Sequence, residues 1–162
     1  MAFRTLAAAA FASLSLAGCA TTPGTLQGDY ASISPRQAAD AQDVGANVRW
    51  GGRIVQVEPR DDSTCFEVMS SRLDSAGRPA WGTDDDGGRF IACSHGYYDP
   101  DVFGVNRELT FTGRIDSYET RHLDGHAYQF PRLAADDVHL WPDRSQADAI
   151  TRPAPWPWWG SW

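Results

Sequence analysis

The fold is decided by the stretch Val44-Gly45-Ala46-Asn47-Val48-Arg49-Trp50-Gly51-Gly52-Arg53-Ile54-Val55. Large apolar residues recur along it at the spacing of a β-strand, and the pair Gly51-Gly52 interrupts them. Paired glycines inside a strand suggest a bulge or a sharp bend, of the kind that small barrels use to turn corners. The stretch therefore predicts the first strand of a small barrel.

Further short strands follow, separated by turn residues. They are predicted at 65–69, 89–93, 109–115 and 128–130, with a short sixth at 138–141. Residues 74–88 form a long loop, and Asp124-Gly125 is a hairpin turn signal. The only helix predicted is a short one at 34–41, with Ser34 as its N-cap. The pattern predicts an all-β fold, a five- to six-stranded OB-like barrel over residues 44–142, with a β-sandwich as the alternative.

The N-terminus has the pattern of an export signal. Arg4 precedes an apolar run over residues 6–16, which is too short to span a bilayer. Leu16-Ala17-Gly18-Cys19 then fits a bacterial lipobox, in which the cysteine thiol carries the lipid. We predict a signal peptide over 1–18, followed by the lipidated Cys19 and a tether over 19–43. An ordinary signal peptide or a buried helix is the alternative.

The residue after Cys19 and the overall charge predict where the chain is held. Ala20 stands where an aspartate would commonly retain a lipoprotein in the inner membrane, which favours the outer membrane and its periplasmic side. The net charge is −7 and every basic residue is an arginine. A negative surface disfavours nucleic acid as a partner and gives no help in binding anionic lipid headgroups. Membrane attachment must therefore come from the lipid itself.

The tail over residues 143–162 is rich in proline and tryptophan. It contains four of the seven tryptophans, which are Trp156, Trp158, Trp159 and Trp162. Proline favours an extended, polyproline-like tail. These indole rings could pack back onto the barrel, lie in the membrane interface or dock onto a partner protein.

Cys65 and Cys93 fall in two predicted strands on either side of the long loop. Because the periplasm is oxidising, the natural interpretation is a disulfide, with two buried thiols as the alternative.

One neighbourhood resembles a reactive site. His95 and Asp99 lie close together in the sequence, and a histidine near carboxylates could serve an envelope hydrolase or a metal-dependent enzyme. The alternative is a polar turn, since Asp99-Pro100 is a common turn opener. The run Asp84-Asp85-Asp86-Gly87-Gly88 lacks the later glutamate of recognisable calcium loops, and we expect a solvated loop there. We therefore predict no metal and no cofactor.

Together these segments resemble the Slp family, the starvation-inducible outer-membrane lipoproteins of Gram-negative bacteria. The likeness starts at the quoted stretch, which is similar to the family's "VG…RxGG.I" segment. It continues through Gly87-Gly88-Arg89-Phe90, Leu109-Thr110-Phe111-Thr112-Gly113 and the closing Val138-His139-Leu140-Trp141. The two cysteines Cys65 and Cys93 and the dense tryptophan tail depart from it.

The resemblance implies a lipoprotein without established enzymatic activity and with no catalytic residues to carry over. The expected function is a non-enzymatic structural or binding role in the envelope, in a starvation or stress setting. The expected partners are the membrane, through lipid such as palmitate on Cys19, and a lipid, a glycan or another envelope protein.

Overall fold

The computed structural model describes residues 22–82 and 87–145. Their strands form one closed barrel. The strands are β1 (Asn47–Pro59), β2 (Ser63–Ser71), β3 (Arg89–His95), β4 (Glu108–Leu123) and β5 (His126–Leu140). Around the barrel the order is β1-β2-β3-β5-β4, and β4 closes it by pairing with β1. Only β3 and β5 pair in parallel.

This architecture confirms the predicted all-β, OB-like barrel and replaces the β-sandwich alternative. The residues predicted as a separate sixth strand continue β5 instead. They stay in register with β4 because two irregularities in the pairing, at Thr112/Gly113 and Ile115/Ser117, let the long hairpin bend without breaking.

Aromatic residues fill the barrel interior. Phe66, Phe90 and Phe111 are fully buried, and Trp50 is almost so. The ring centroids of Phe66 and Phe111 lie 5.6 Å apart, and those of Trp50 and Phe90 lie 5.3 Å apart in an edge-to-face arrangement. Burying one such side chain contributes about 2–3 kcal/mol, so these four rings supply much of the core of a small domain.

The glycine pair in β1 permits close approach of neighbouring strands. A Cβ on Gly52 would lie 1.9 Å from the carbonyl oxygen of Met69, and one on Gly51 would lie 2.7 Å from that of Leu109. The irregularity in the pairing of β1 with β2 falls between Ile54 and Gln56. The sequence therefore predicted a bulge in the correct strand, but at Gly51-Gly52, a few residues before the irregularity observed between Ile54 and Gln56.

The segment before the barrel packs onto it. A short 3-10 helix (Gly24–Leu26) buries Leu26 completely. The helix α1 (Pro35–Ala41) begins with a capping box between Ser34 and Gln37. The indole nitrogen of Trp50 donates to the carbonyl of Ile33 at 2.7 Å, which ties the segment to β1. Within 22–82 and 87–145, no helix is long and apolar enough to cross a membrane.

Candidate functional site

The outer face of β2 and β3 is covered by the chain itself. The covering element is the distal part of the β4–β5 hairpin, residues 117–131, which we call the hairpin arm. Its turn has positive φ at Asp124 (50°) and Gly125 (83°), as the sequence signal predicted. Phe130 of the arm is 1% exposed and packs on Cys65 and Ile91. In OB barrels this face commonly binds oligosaccharides or nucleic acid, so the arm occupies a typical ligand surface.

Ion pairs fasten the arm to the barrel. Arg121 donates to the buried Glu67 at 2.9 Å and to Glu119 at 2.7 Å, and Arg132 donates to Glu119 at 3.1 Å. The hydrogen bond from Arg121 lowers the pKa of Glu119, although burial partly opposes it. Burial would lower the pKa of Arg121, but Glu119 and the nearby carboxylates raise it. Both groups therefore stay charged at neutral pH.

A disulfide joins Cys65 and Cys93 beneath the arm. The two residues are direct register partners on β2 and β3. Their neighbours Phe66 and Ala92 belong to the barrel core, so the alternation of a strand places both sulfur atoms on the outer face. The guanidinium of Arg132 lies 3.2 Å from the sulfur of Cys93. The bond thus links two neighbouring strands in the small core that the arm covers.

The structure does not assemble a reactive site at His95 and Asp99. Both side chains are exposed, His95 at the end of β3 and Asp99 in the following loop. A carboxylate oxygen of Asp99 accepts the backbone N–H of Asp101 at 2.9 Å, which is the polar turn that the sequence offered as the alternative. In the described ranges the two side chains form no hydrogen bond or ion pair with each other, and no three His, Cys, Asp or Glu residues cluster to hold a metal.

Other residues singled out in the sequence lie outside the described residues. They are Cys19, the acidic residues 84–86 and the tryptophans Trp156, Trp158, Trp159 and Trp162. Lipidation at Cys19 and the role of the tail therefore stay predictions.

A groove of about 680 Å³ lies between the N-terminal segment and the barrel. Its walls come from residues 30–37 on one side, and from Arg49, Trp50 and residues 70–73 on the other. Trp50 forms part of the lining, and its indole already bonds to Ile33. Arg49 donates to the carbonyl of Leu26 at 2.9 Å, and its guanidinium lies 5.5 Å from the centre of the Tyr30 ring. The remaining lining combines four serines and two arginines with the apolar residues Ala31, Ile33, Pro35 and Leu73, and with Gln37 and Gly87.

Sequence reasoning missed this groove because it assigned residues 19–43 to a tether. One signal pointed to it. The helix capped by Ser34 is too short to be stable alone, so it needs a surface to pack on. The hydroxyl of Tyr118 donates to the carbonyl of Ala38 at 2.9 Å and supplies part of that surface.

A family comparison places the chain among known proteins. The model for the outer membrane lipoprotein Slp family matches residues 16–162. The chain belongs to the Slp family. It is 29% identical over 151 residues to the uncharacterized lipoprotein YeaY of Escherichia coli K12, covering 89% of this chain and 76% of that protein. It is 27% identical over 129 residues to an uncharacterized protein of Haemophilus influenzae, covering 78% and 70%.

The Slp-family barrel also has a weak likeness to a solved structure. A small single-stranded DNA-binding protein from Streptomyces coelicolor matches with a TM-score of 0.40 and 12% identity, over 63% of this chain and 97% of that one. A score this low does not bear on what the Slp-family chain binds.

Proposed function

We propose that this Slp-family protein is held by lipid on Cys19 at the periplasmic face of the outer membrane and binds an envelope glycan there without catalysing a reaction. Family membership supports the outer membrane, and the lipobox ending at Cys19 supports the attachment. Two or three acyl chains make release negligible, because each buried CH₂ contributes about 0.8 kcal/mol.

The observation that carries the binding role is the groove between residues 30–37 and the barrel. The residues that line it include Tyr30, Ser32, Ser70 and Arg49. The hydroxyl of Tyr30 donates to the carbonyl of Gln27 at 3.1 Å and can still accept a hydrogen bond. Hydroxyl and guanidinium groups of this kind exchange hydrogen bonds with sugar hydroxyls. Since Arg49 is already anchored to Leu26, part of the lining is preformed before a ligand arrives. The hairpin arm meanwhile covers the face that other OB barrels use.

The anchor is tested by replacing the predicted lipid site in the natural host. Cells are fed an alkyne-labelled palmitate, and we expect label on the wild type but not on Cys19→Ser, which should also leave the membrane fraction. The double variant Cys65→Ser/Cys93→Ser is the control and should keep the label. Ala20→Asp should move the protein to the inner membrane. If Cys19→Ser still carried the label, or still remained in the membrane fraction, the proposed lipid attachment at Cys19 would be wrong.

The periplasmic orientation has its own test. Added protease should digest the barrel only after the outer membrane has been permeabilised. Digestion in intact cells would instead place the barrel on the cell surface.

The proposed role in starvation has a separate test. We expect the protein level, followed by immunoblot across growth phases, to rise as cells enter starvation.

Glycan binding is tested with a tetramer of N-acetylglucosamine and with purified peptidoglycan. Ser32→Trp places a bulky ring on an exposed position of the groove and should abolish binding. Thr25→Trp is the matched control, since Thr25 is exposed but outside the groove. Mass spectrometry should find the tetramer intact after incubation. Cleavage of the tetramer that disappears in His95→Ala/Asp99→Ala would favour the alternative function, an envelope hydrolase. Equal glycan binding by Ser32→Trp and Thr25→Trp would exclude the groove as the binding site.

A further inference from the structure

A second cleft, of about 220 Å³, lies where the start of β4 meets the end of β5. Four arginines contribute to its lining: Arg53 of β1, Arg78 of the β2–β3 loop, Arg107 just before β4, and Arg144 after β5. This concentration of positive charge stands out on a chain whose net charge is −7. Neither the proposed glycan groove nor the hairpin arm includes these side chains.

Two carboxylates line the same cleft, and they neutralise only part of this charge. Glu108 is 7% exposed and accepts hydrogen bonds from Arg78 at 2.7 Å, Arg144 at 2.9 Å and the indole of Trp81 at 2.6 Å. Burial alone would raise the pKa of Glu108, but these three donors together lower it, so it is ionised at neutral pH. Asp143 is exposed and bonds to Ser145 within its own turn. These hydrogen bonds, together with the charges of Arg107 and Arg78, lower the pKa of Asp143, so it is ionised as well. Two positive charges therefore remain unmatched among the residues that line the cleft.

Neutral groups hold the arginines in place without cancelling their charge. Arg107 donates to the carbonyls of Val102 at 2.9 Å and Trp141 at 3.2 Å. The guanidinium of Arg53 lies 4.1 Å from the centre of the Trp81 ring. In the part of the chain that the structure describes, neither Arg53 nor Arg107 forms an ion pair. Fixed guanidinium groups with open N–H donors are the arrangement that oxyanions bind.

We propose that this cleft binds a phosphate monoester group. Such a group carries between −1.5 and −2 charges at neutral pH, which matches the excess of two positive charges among the lining residues. A carboxylate carries one negative charge and would leave one positive charge of this excess unmatched. The source is either a soluble phosphate compound or the headgroup of a lipid in the membrane to which the protein is held.

The test uses the full mature lipoprotein in zwitterionic detergent micelles. Isothermal titration calorimetry with inorganic phosphate measures the soluble source. Micelles doped with phosphatidic acid, compared with micelles doped with phosphatidylcholine, measure the lipid source. The main variant is Arg53→Gln, because the only described contact of this guanidinium is the Trp81 ring, and the substitution therefore removes no described hydrogen bond or ion pair. Arg114→Gln is the matched control, an exposed arginine of β4 with no described partner.

We expect Arg53→Gln to weaken phosphate binding about tenfold, equivalent to about 1.4 kcal/mol, and Arg114→Gln to leave it unchanged. Binding to phosphatidic acid micelles without binding of inorganic phosphate would identify a lipid headgroup as the occupant. Binding of inorganic phosphate without binding to phosphatidic acid micelles would identify a soluble phosphate compound as the occupant. Absence of binding to both probes, or equal affinities for wild type and Arg53→Gln, would overturn the proposal. Glycan binding in the groove is measured in a separate experiment. The phosphate proposal can therefore fail while the glycan proposal holds, and the reverse is also possible.

Discussion

At Gly52, a single methyl group would collide with the neighbouring strand. The position of its Cβ is 1.9 Å from the carbonyl oxygen of Met69, which is backbone and cannot rotate away. We expect Gly52→Ala to lower the free energy of unfolding by at least about 2 kcal/mol, because β1 and β2 would have to separate. Gly24→Ala is the control, since nothing lies within 4 Å of that position. Equal urea denaturation midpoints for the two variants would contradict the close approach.

Glu108 makes the stability of the barrel depend on pH. Its folded pKa lies below the ordinary value of 4.5, so the charged form stabilises the fold above pH 4.5 and this contribution disappears as the pH falls through the folded pKa. We expect Glu108→Gln to cost about 3 kcal/mol at pH 7, since it leaves two arginines without their buried carboxylate.

The measurement is urea unfolding of the wild type and Glu108→Gln between pH 7 and pH 3. The difference between the two proteins should shrink as the pH falls below 4.5. Asp136→Asn, at an exposed site, should match the wild type at pH 7. A difference that stays constant with pH would show that the glutamine acts through packing and not through charge.

The sequence could not reveal the role of Glu108. Its partners Arg78, Trp81 and Arg144 lie 27 to 36 residues away, and only barrel closure brings them together. The disulfide partners were easier to predict, because cysteines are few and the predicted periplasmic compartment would be oxidising.

Among the elements, the hairpin arm is anchored mainly through Phe130. Its side chain is 1% exposed and fills the space over the disulfide and Ile91. We expect Phe130→Ala to cost about 3 kcal/mol in the free energy of unfolding and to raise hydrogen exchange in β2 and β3. Tyr128→Ala is the matched control on the same strand, where the side chain is 52% exposed and little should change. Unchanged exchange in β2 and β3 after Phe130→Ala would mean that the arm does not protect that face.

The sequence predicted the elements of this arm but not its position. Local signals predicted the turn at Asp124-Gly125 and the strand that follows it, but the predicted fourth strand ended at residue 115, whereas β4 continues to Leu123. The bend that lays the arm over β2 and β3 depends on pairing irregularities at Thr112/Gly113 and Ile115/Ser117. Such irregularities depend on long-range register, which alternation within one strand does not encode.

For the whole molecule, the disulfide couples the stability of the barrel to the proposed periplasmic location. A barrel of about 100 residues has little margin, since domains of this size are stable by about 5–15 kcal/mol. The bond between Cys65 and Cys93 closes a loop with a sequence separation of 28 residues. Restricting the unfolded chain in this way stabilises the fold by about 3.5 kcal/mol in the chain-entropy account. An oxidising compartment therefore supplies a substantial part of the stability, which a reducing cytoplasm would not.

We expect Cys65→Ser/Cys93→Ser to unfold at a clearly lower urea concentration than the oxidised wild type. Reduced wild type should behave like this double variant, because both have lost the same constraint. Adding reductant to the double variant should change nothing, which controls for side effects of the reagent. Equal stability of oxidised and reduced wild type would show that the packing of Phe130 and Ile91 over β2 and β3 holds this region without the covalent bond. The fold would then not depend on an oxidising compartment.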